Sequence, residues 1–163
     1  MARIIGAIDS GKADNGEMLA PFTALPYTPH MLTLTVNPRF CDTDALGHIN
    51  NTVMPVWFLE AREPILRLFS PEPDARRGGI VLVRSEIDFK AETRFGPPVT
   101  ITTTVRHVGN SSFRLCHRLI QEERETAISI ATMVNFDAVS RRASPIPATV
   151  REALMGHYEG ADV

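Results

Sequence analysis

A chain of 163 residues, 44 % of them apolar, is long enough to bury one hydrophobic core without disulfides or a structural metal, so a single domain is expected. A net charge of -2 and a pI near 6.2, with 17 basic residues spread among 19 acidic ones, argue against nucleic acid or an anionic membrane surface as partners. The two cysteines, Cys41 and Cys116, form no CxxC pair, which speaks against a disulfide framework or a zinc site and predicts two free thiols.

Residues 1–30 carry the short apolar patch Ile4-Ile5, but Gly6, Asp9, Gly11 and Lys12 break it before a signal-peptide core forms. No stretch approaches the roughly 20 apolar residues of a membrane span, so a cytoplasmic protein is expected. From Ser10 to His30 the chain is rich in Gly, Pro, Asp and Asn without any period, which predicts an irregular N-terminal arm over residues 1–30.

At Met31 a period of two begins, with Leu32, Leu34, Val36 and Phe40 on one face of a first strand. Helical spacing follows at Val53, Val56, Trp57, Ala61, Ile65 and Leu68, with Asn50 or Asn51 as the natural N-cap. Pro55 fits a first turn, whereas Pro64 is expected to bend or break the helix near Glu60. The helix should end by Phe69.

Four alternating runs come next: Gly79 to Ala91 with Val81, Val83, Ile87 and Phe89 inward, then Val99 to Val108, Ser112 to Gln121 and Thr126 to Asp137. Short turns at Gly109-Asn110 and at Glu122-Glu123-Arg124 make the last three antiparallel neighbours. Strand, helix and four strands imply an α+β domain, an antiparallel five-stranded sheet with one long helix on one face. The other face or a sheet edge is then expected to meet a second subunit. Ala148 to Tyr158 is a candidate closing helix.

Chemistry concentrates between the first strand and the helix, where Asp42 and Asp44 bracket Thr43, and Gly47-His48 lead into Asn50-Asn51. The first N–H groups of a helix lack partners and form a partly positive pole able to stabilise an oxyanion on an attacked carbonyl. The same residues also suit a turn and a cap, with Gly47 as the turn glycine, and residue chemistry alone leaves both readings open. A metal on Asp42, Asp44 and His48 is not expected, since no other ligand cluster supports it.

The segment Phe40-Cys41-Asp42-Thr43-Asp44-Ala45-Leu46-Gly47-His48-Ile49-Asn50-Asn51, followed by Glu60-Ala61-Arg62, closely resembles the 4-hydroxybenzoyl-CoA thioesterase-like branch of the hotdog superfamily. Its D-x-D-x-x-G-H-x-N-N core spans ten positions, and a looser similarity runs from Met31 to Asp137. The resemblance implies a hotdog domain over residues 31–140, its five-stranded sheet wrapped around one central helix, with residues 141–163 as a C-terminal extension. It also implies hydrolysis of an acyl-CoA thioester, with Asp44 as the catalytic carboxylate and the backbone amide near Asn51 polarising the carbonyl. Asp42 then orients the turn, and His48 and Asn50 contact water or the thioester. One departure is that Lys90-Ala91-Glu92-Thr93 stands where that branch often has a proline.

Met54, Trp57 and Phe58, with Val53, are candidates for the acyl pocket, and Arg84, Ser111 and Ser112 for the CoA phosphates. Coenzyme A belongs to the substrate, so no separate cofactor is expected. A homodimer or homotetramer with the active site at a subunit interface fits the fold. The competing functions are a hotdog protein that binds acyl-CoA without hydrolysis and a hotdog dehydratase or hydratase. The last is disfavoured by His48 preceding the helix.

Overall fold

The computed structural model describes residues 31–70 and 78–160, and the expected N-terminal arm lies outside them. In chain order the elements are β1 (Leu32–Val36), a 3-10 turn (Phe40–Asp42), α1 (Met54–Arg67), β2 (Gly78–Phe89), β3 (Val99–Val108), β4 (Ser112–Gln121), β5 (Arg124–Asp137), β6 (Arg142–Ala143) and α2 (Ala148–Met155). All strand pairs are antiparallel, in the order β1-β3-β4-β5-β2, with the two-residue β6 added to the end of β5. This is the hotdog arrangement of one helix against one face of an antiparallel sheet.

Helix α1 packs on β1, β3 and β4. Its buried residues are Met54, Trp57, Phe58, Ala61, Arg62 and Ile65, at the spacing of one helical face. Val56, expected in that stripe, is 53 % exposed, because it lies about 200° around the helix from Met54. The expected cap also moves. Asn50 folds its side chain onto Thr52 and its carbonyl accepts the Val53 N–H, so Val53 is the N-cap and helix starts at Met54. Pro64 neither breaks nor ends the helix, which continues to Arg67. Glu60, whose carbonyl loses its usual donor, is exposed, where water can serve that oxygen.

Phe40 is not part of β1. The strand ends at Val36, and Phe40 stands 78 % exposed in the 3-10 turn, edge-on to Phe95 with centroids 6.0 Å apart. In β2 the inward set also differs from expectation. A bulge between Leu82 and Arg84 reverses the alternation, so Ile87 and Phe89 share the α1 face while Val81, opposite Val134, points the other way. As an edge strand β2 leaves Val81, Leu82, Val83 and Phe89 exposed.

The core has two parts. One lies under the start of α1 and includes Leu34, Ile49, Met54, Trp57, Phe58, Val99, Ile101 and Leu119. The other joins Ile65, Val105, Phe113, Leu115 and Met133 to Ile146 and Leu154 of the C-terminal segment, so residues 146 to 158 pack into the same body as the sheet. Between them a buried polar row, Thr103, His117 and Ser129, crosses β3, β4 and β5 in register.

His117 Nδ1 and Thr103 Oγ1 are 2.8 Å apart, and the ring stacks on Phe58 at 5.4 Å. Burial, aided by the charge of the buried Arg62, lowers the His117 pKa from 6.5 to about 3. The folded protein therefore keeps this ring neutral, while the unfolded chain takes up a proton below pH 6.5. Stability from this group is fully present above that pH and falls as pH drops from about 6.5 towards 3, by about 2 kcal/mol between pH 7 and pH 5. Urea midpoints across this range should show the decline, and His117→Leu should flatten it. An unchanged slope in the variant would refute the assignment.

Candidate active site

Two loops meet at the start of α1. The first, residues 40–53, is built by Asp42 and Arg39. The Arg39 backbone N–H donates to Asp42 Oδ2 at 2.8 Å, and its guanidinium donates to both carboxylate oxygens. These bonds from Arg39 hold the Asp42 carboxyl below the usual carboxylate range, although the residue is only 2 % exposed. The Asp42 carbonyl in turn accepts the Asn50 N–H at 2.8 Å. Asp42 is thus committed to the frame of the loop.

Within that frame Asp44 closes a tight turn. Its N–H donates to the His48 carbonyl at 2.8 Å, and its carbonyl accepts the Gly47 N–H at 3.1 Å. Gly47 has φ of +80°, a conformation that favours glycine. Asp44 Oδ1 accepts the Leu46 and His48 N–H groups at 2.8 and 3.1 Å, while Oδ2 accepts none among the described residues. One oxygen is thus tied into the turn and the other is not.

The second loop, residues 90–98, is anchored from β4 and β5. Lys90 and Ala91 donate their N–H groups to the Thr126 carbonyl, and Thr93 Oγ1 donates to Thr126 Oγ1 at 2.7 Å. Gln121 accepts the Arg94 N–H and donates to the carbonyls of Arg94 and Pro97 at 2.8 and 2.9 Å. The loops are joined by the Ile49 N–H on the Thr93 carbonyl at 2.7 Å and by an antiparallel bridge between His48 and Arg94.

Between them lies a cleft of about 440 Å³. From the first loop and helix it is lined by Asp44, His48, Ile49, Asn51 and Met54, and from the β2 side by Phe89, Lys90, Ala91, Glu92 and Thr93. The Asn51 N–H donates no hydrogen bond among the described residues. A second cavity of about 520 Å³ shares Ala91 and Glu92 and carries Arg94 and Arg124. Among the described residues no group of three or more His, Cys, Asp or Glu is arranged to hold a metal, and no helix is long and apolar enough to cross a membrane.

Asp44, His48, Asn51 and Met54, singled out in the sequence, therefore come together. Asn50 and Gly47 shape the turn beside them. Trp57 and Phe58 do not line the cleft, since both are buried in the core beneath it. Arg84 lies on the face of β2 opposite α1 and pairs with Glu86 at 2.7 Å. Ser111 and Ser112 sit at the far end of β4, about 30 Å from Gln121 at the strand rise. Phe89, Lys90, Glu92 and Thr93 were not singled out as site residues, and only the proline missing from Lys90-Ala91-Glu92-Thr93 marked that stretch.

The same cleft-forming stretch lies inside the region that the family model for the thioesterase-like superfamily matches, residues 38–154. The chain belongs to this superfamily. A 1,4-dihydroxy-2-naphthoyl-CoA hydrolase from Synechococcus sp. (strain WH7803) is 27 % identical over 134 residues, covering 76 % of this chain and 88 % of the relative. A predicted thioesterase from Bacillus stearothermophilus superposes with a TM-score of 0.76 at 34 % identity, covering 81 % of this chain and 99 % of the other. A thioesterase from Thermus thermophilus, solved with coenzyme A and zinc, gives 0.67 at 27 % identity, covering 75 % and 95 %. The thioesterase described here is accordingly a thioester hydrolase.

Asp42 gives the site a frame that can be removed. Asp42→Ala deletes a buried acceptor of three Arg39 donors and should cost about 2 kcal/mol of stability, read as a lowered denaturation midpoint. A midpoint equal to that of the wild type would show that the loop holds its shape without it.

Proposed function

We propose that this cleft hydrolyses acyl-CoA thioesters with Asp44 as the acting carboxylate. The observation that carries this is the division of labour at Asp44, one oxygen fixed by two backbone N–H groups and the other, like the Asn51 amide that lines the same cleft, without a hydrogen bond among the described residues. A thioester carbon is electrophilic and its thiolate leaves readily, so a carboxylate and one oxyanion donor suffice without a nucleophilic serine. Asp44 either bonds to the carbonyl carbon, giving an anhydride that water cleaves, or takes the proton of an attacking water. Both routes place the developing oxyanion at the Asn51 N–H, near the positive end of α1.

The naphthoyl-CoA relative and the motif's likeness to the 4-hydroxybenzoyl-CoA branch support an aromatic acyl group. Met54 and Phe89 are the apolar walls such a ring would meet. Arg94 and Arg124, in the adjoining cavity, are the cations we assign to the CoA phosphates in place of Arg84, Ser111 and Ser112.

A second copy of the chain is the partner that the edge strand fits. Among the described residues β2 is paired along one side only, exposes apolar residues on both faces, and ends at Phe89 in the cleft wall. Pairing there would enclose the cleft from the open side.

Asp44→Ala should lower kcat at least about 100-fold on a panel of acyl-CoA esters read by free-thiol release, with an unchanged circular dichroism spectrum. Retained turnover would sink the role of Asp44. Binding of CoA esters by the wild type without any thiol release would favour a non-hydrolytic binder. In sedimentation at micromolar concentration the wild type should run at twice the chain mass and Val83→Arg at the chain mass. A wild type that stays monomeric would dismiss the β2 pairing.

A further inference from the structure

Glu92 lies in the stretch Lys90-Ala91-Glu92-Thr93, where this chain departs from the branch it resembles. Its carboxylate reaches two groups. Oε2 lies 3.3 Å from His48 Nε2 and 2.6 Å from Arg94 Nη2. Because the Ala91 and Arg94 N–H groups and the Thr93 hydroxyl are all bonded to β4 or β5, the backbone on both sides of Glu92 is held. His48 is held as well, by its N–H on Asp44 Oδ1 and its carbonyl under the Asp44 N–H. The carboxylate and the imidazole are thus presented to each other from two fixed loops, in the wall of the same cleft as Asp44.

A neutral imidazole carries one N–H, and a carboxylate beside one nitrogen draws the proton to that nitrogen. We propose that Glu92 is a positioning residue that keeps the His48 proton on Nε2 and so leaves Nδ1 as a hydrogen-bond acceptor for the water that completes hydrolysis. This rests on the acyl-CoA hydrolase function proposed above. Arg94 supports the arrangement by its bond to the same carboxylate oxygen, and among the described residues the other charges lining the two cavities around the group are Lys90, Asp44, Glu122 and Arg124. Arg94 first, and then the charge of His48, keep the Glu92 carboxyl below the usual carboxylate range. A purely structural role has little to recommend it. The Glu92 side chain is 52 % exposed, and exposed ion pairs contribute little to stability.

Long-range ¹⁵N–¹H spectra of the ring nitrogens, taken at a pH where the imidazole is neutral, should show His48 protonated on Nε2 in the wild type. In Glu92→Ala that preference should give way to a mixture of tautomers. The same variant should lower kcat about tenfold with KM within twofold, and should cost nothing further in a His48→Asn background. An Nδ1–H tautomer in the wild type, an unchanged tautomer in Glu92→Ala, wild-type kcat in that variant, or an undiminished loss in the His48→Asn background would each overturn the proposal. Absence of thiol release by the wild type from every acyl-CoA would remove the hydrolase function and the role of the water with it. The spectra would still decide whether Glu92 sets the tautomer.

Discussion

One helix about 10 Å across lies on a sheet whose five main strands, about 4.8 Å apart, span about 19 Å between the outer two. Such a helix cannot cover the sheet. Because α1 settles on β1, β3 and β4, the shortfall falls at the β2 edge, where apolar side chains remain exposed. The cleft opens along that boundary, between the start of α1 and the end of β2. The geometry of the candidate site is therefore set where packing stops. The fixed positions of Asp44 and Glu92 come from loop hydrogen bonds rather than from burial under the helix.

Alternation in the sequence located the strands well where one face is buried. The bounds of β3 and β4 fall where the alternation begins and ends, because turns at Gly109-Asn110 and Glu122-Glu123 punctuate them. Alternation failed in β2 for a local reason. Its apolar residues occupy both faces, and one inserted residue at the bulge reverses parity, so Val81 and Phe89 look alike in sequence yet face opposite ways. The helix start was misplaced by another local effect, since Asn50 spends its side chain on Thr52 and delays the helix to Met54.

The site was half legible. Asp44, His48 and Asn51 lie within one short segment, and recognition of its pattern marked them, although their spacing also suits a plain turn. Asp42 illustrates the difficulty. Only its bonds to Arg39 reveal that it builds the loop. The opposing wall, Phe89 to Thr93, comes from a segment about 40 residues away whose link to His48 and Ile49 is made by backbone groups, which carry no signature in residue type. Trp57 and Phe58 were drawn towards the acyl group by their chemistry, but core packing claims them.

The polar row of Thr103, His117 and Ser129 splits the interior into two apolar compartments. Side chains in separate compartments with no shared neighbours change stability almost independently of one another. A change of volume in the compartment sealed by Ile146 and Leu154 is therefore separated by that row from the compartment that carries Met54 and the cleft. A fold divided in this way can alter its robustness at one end with little disturbance to the cleft at the other.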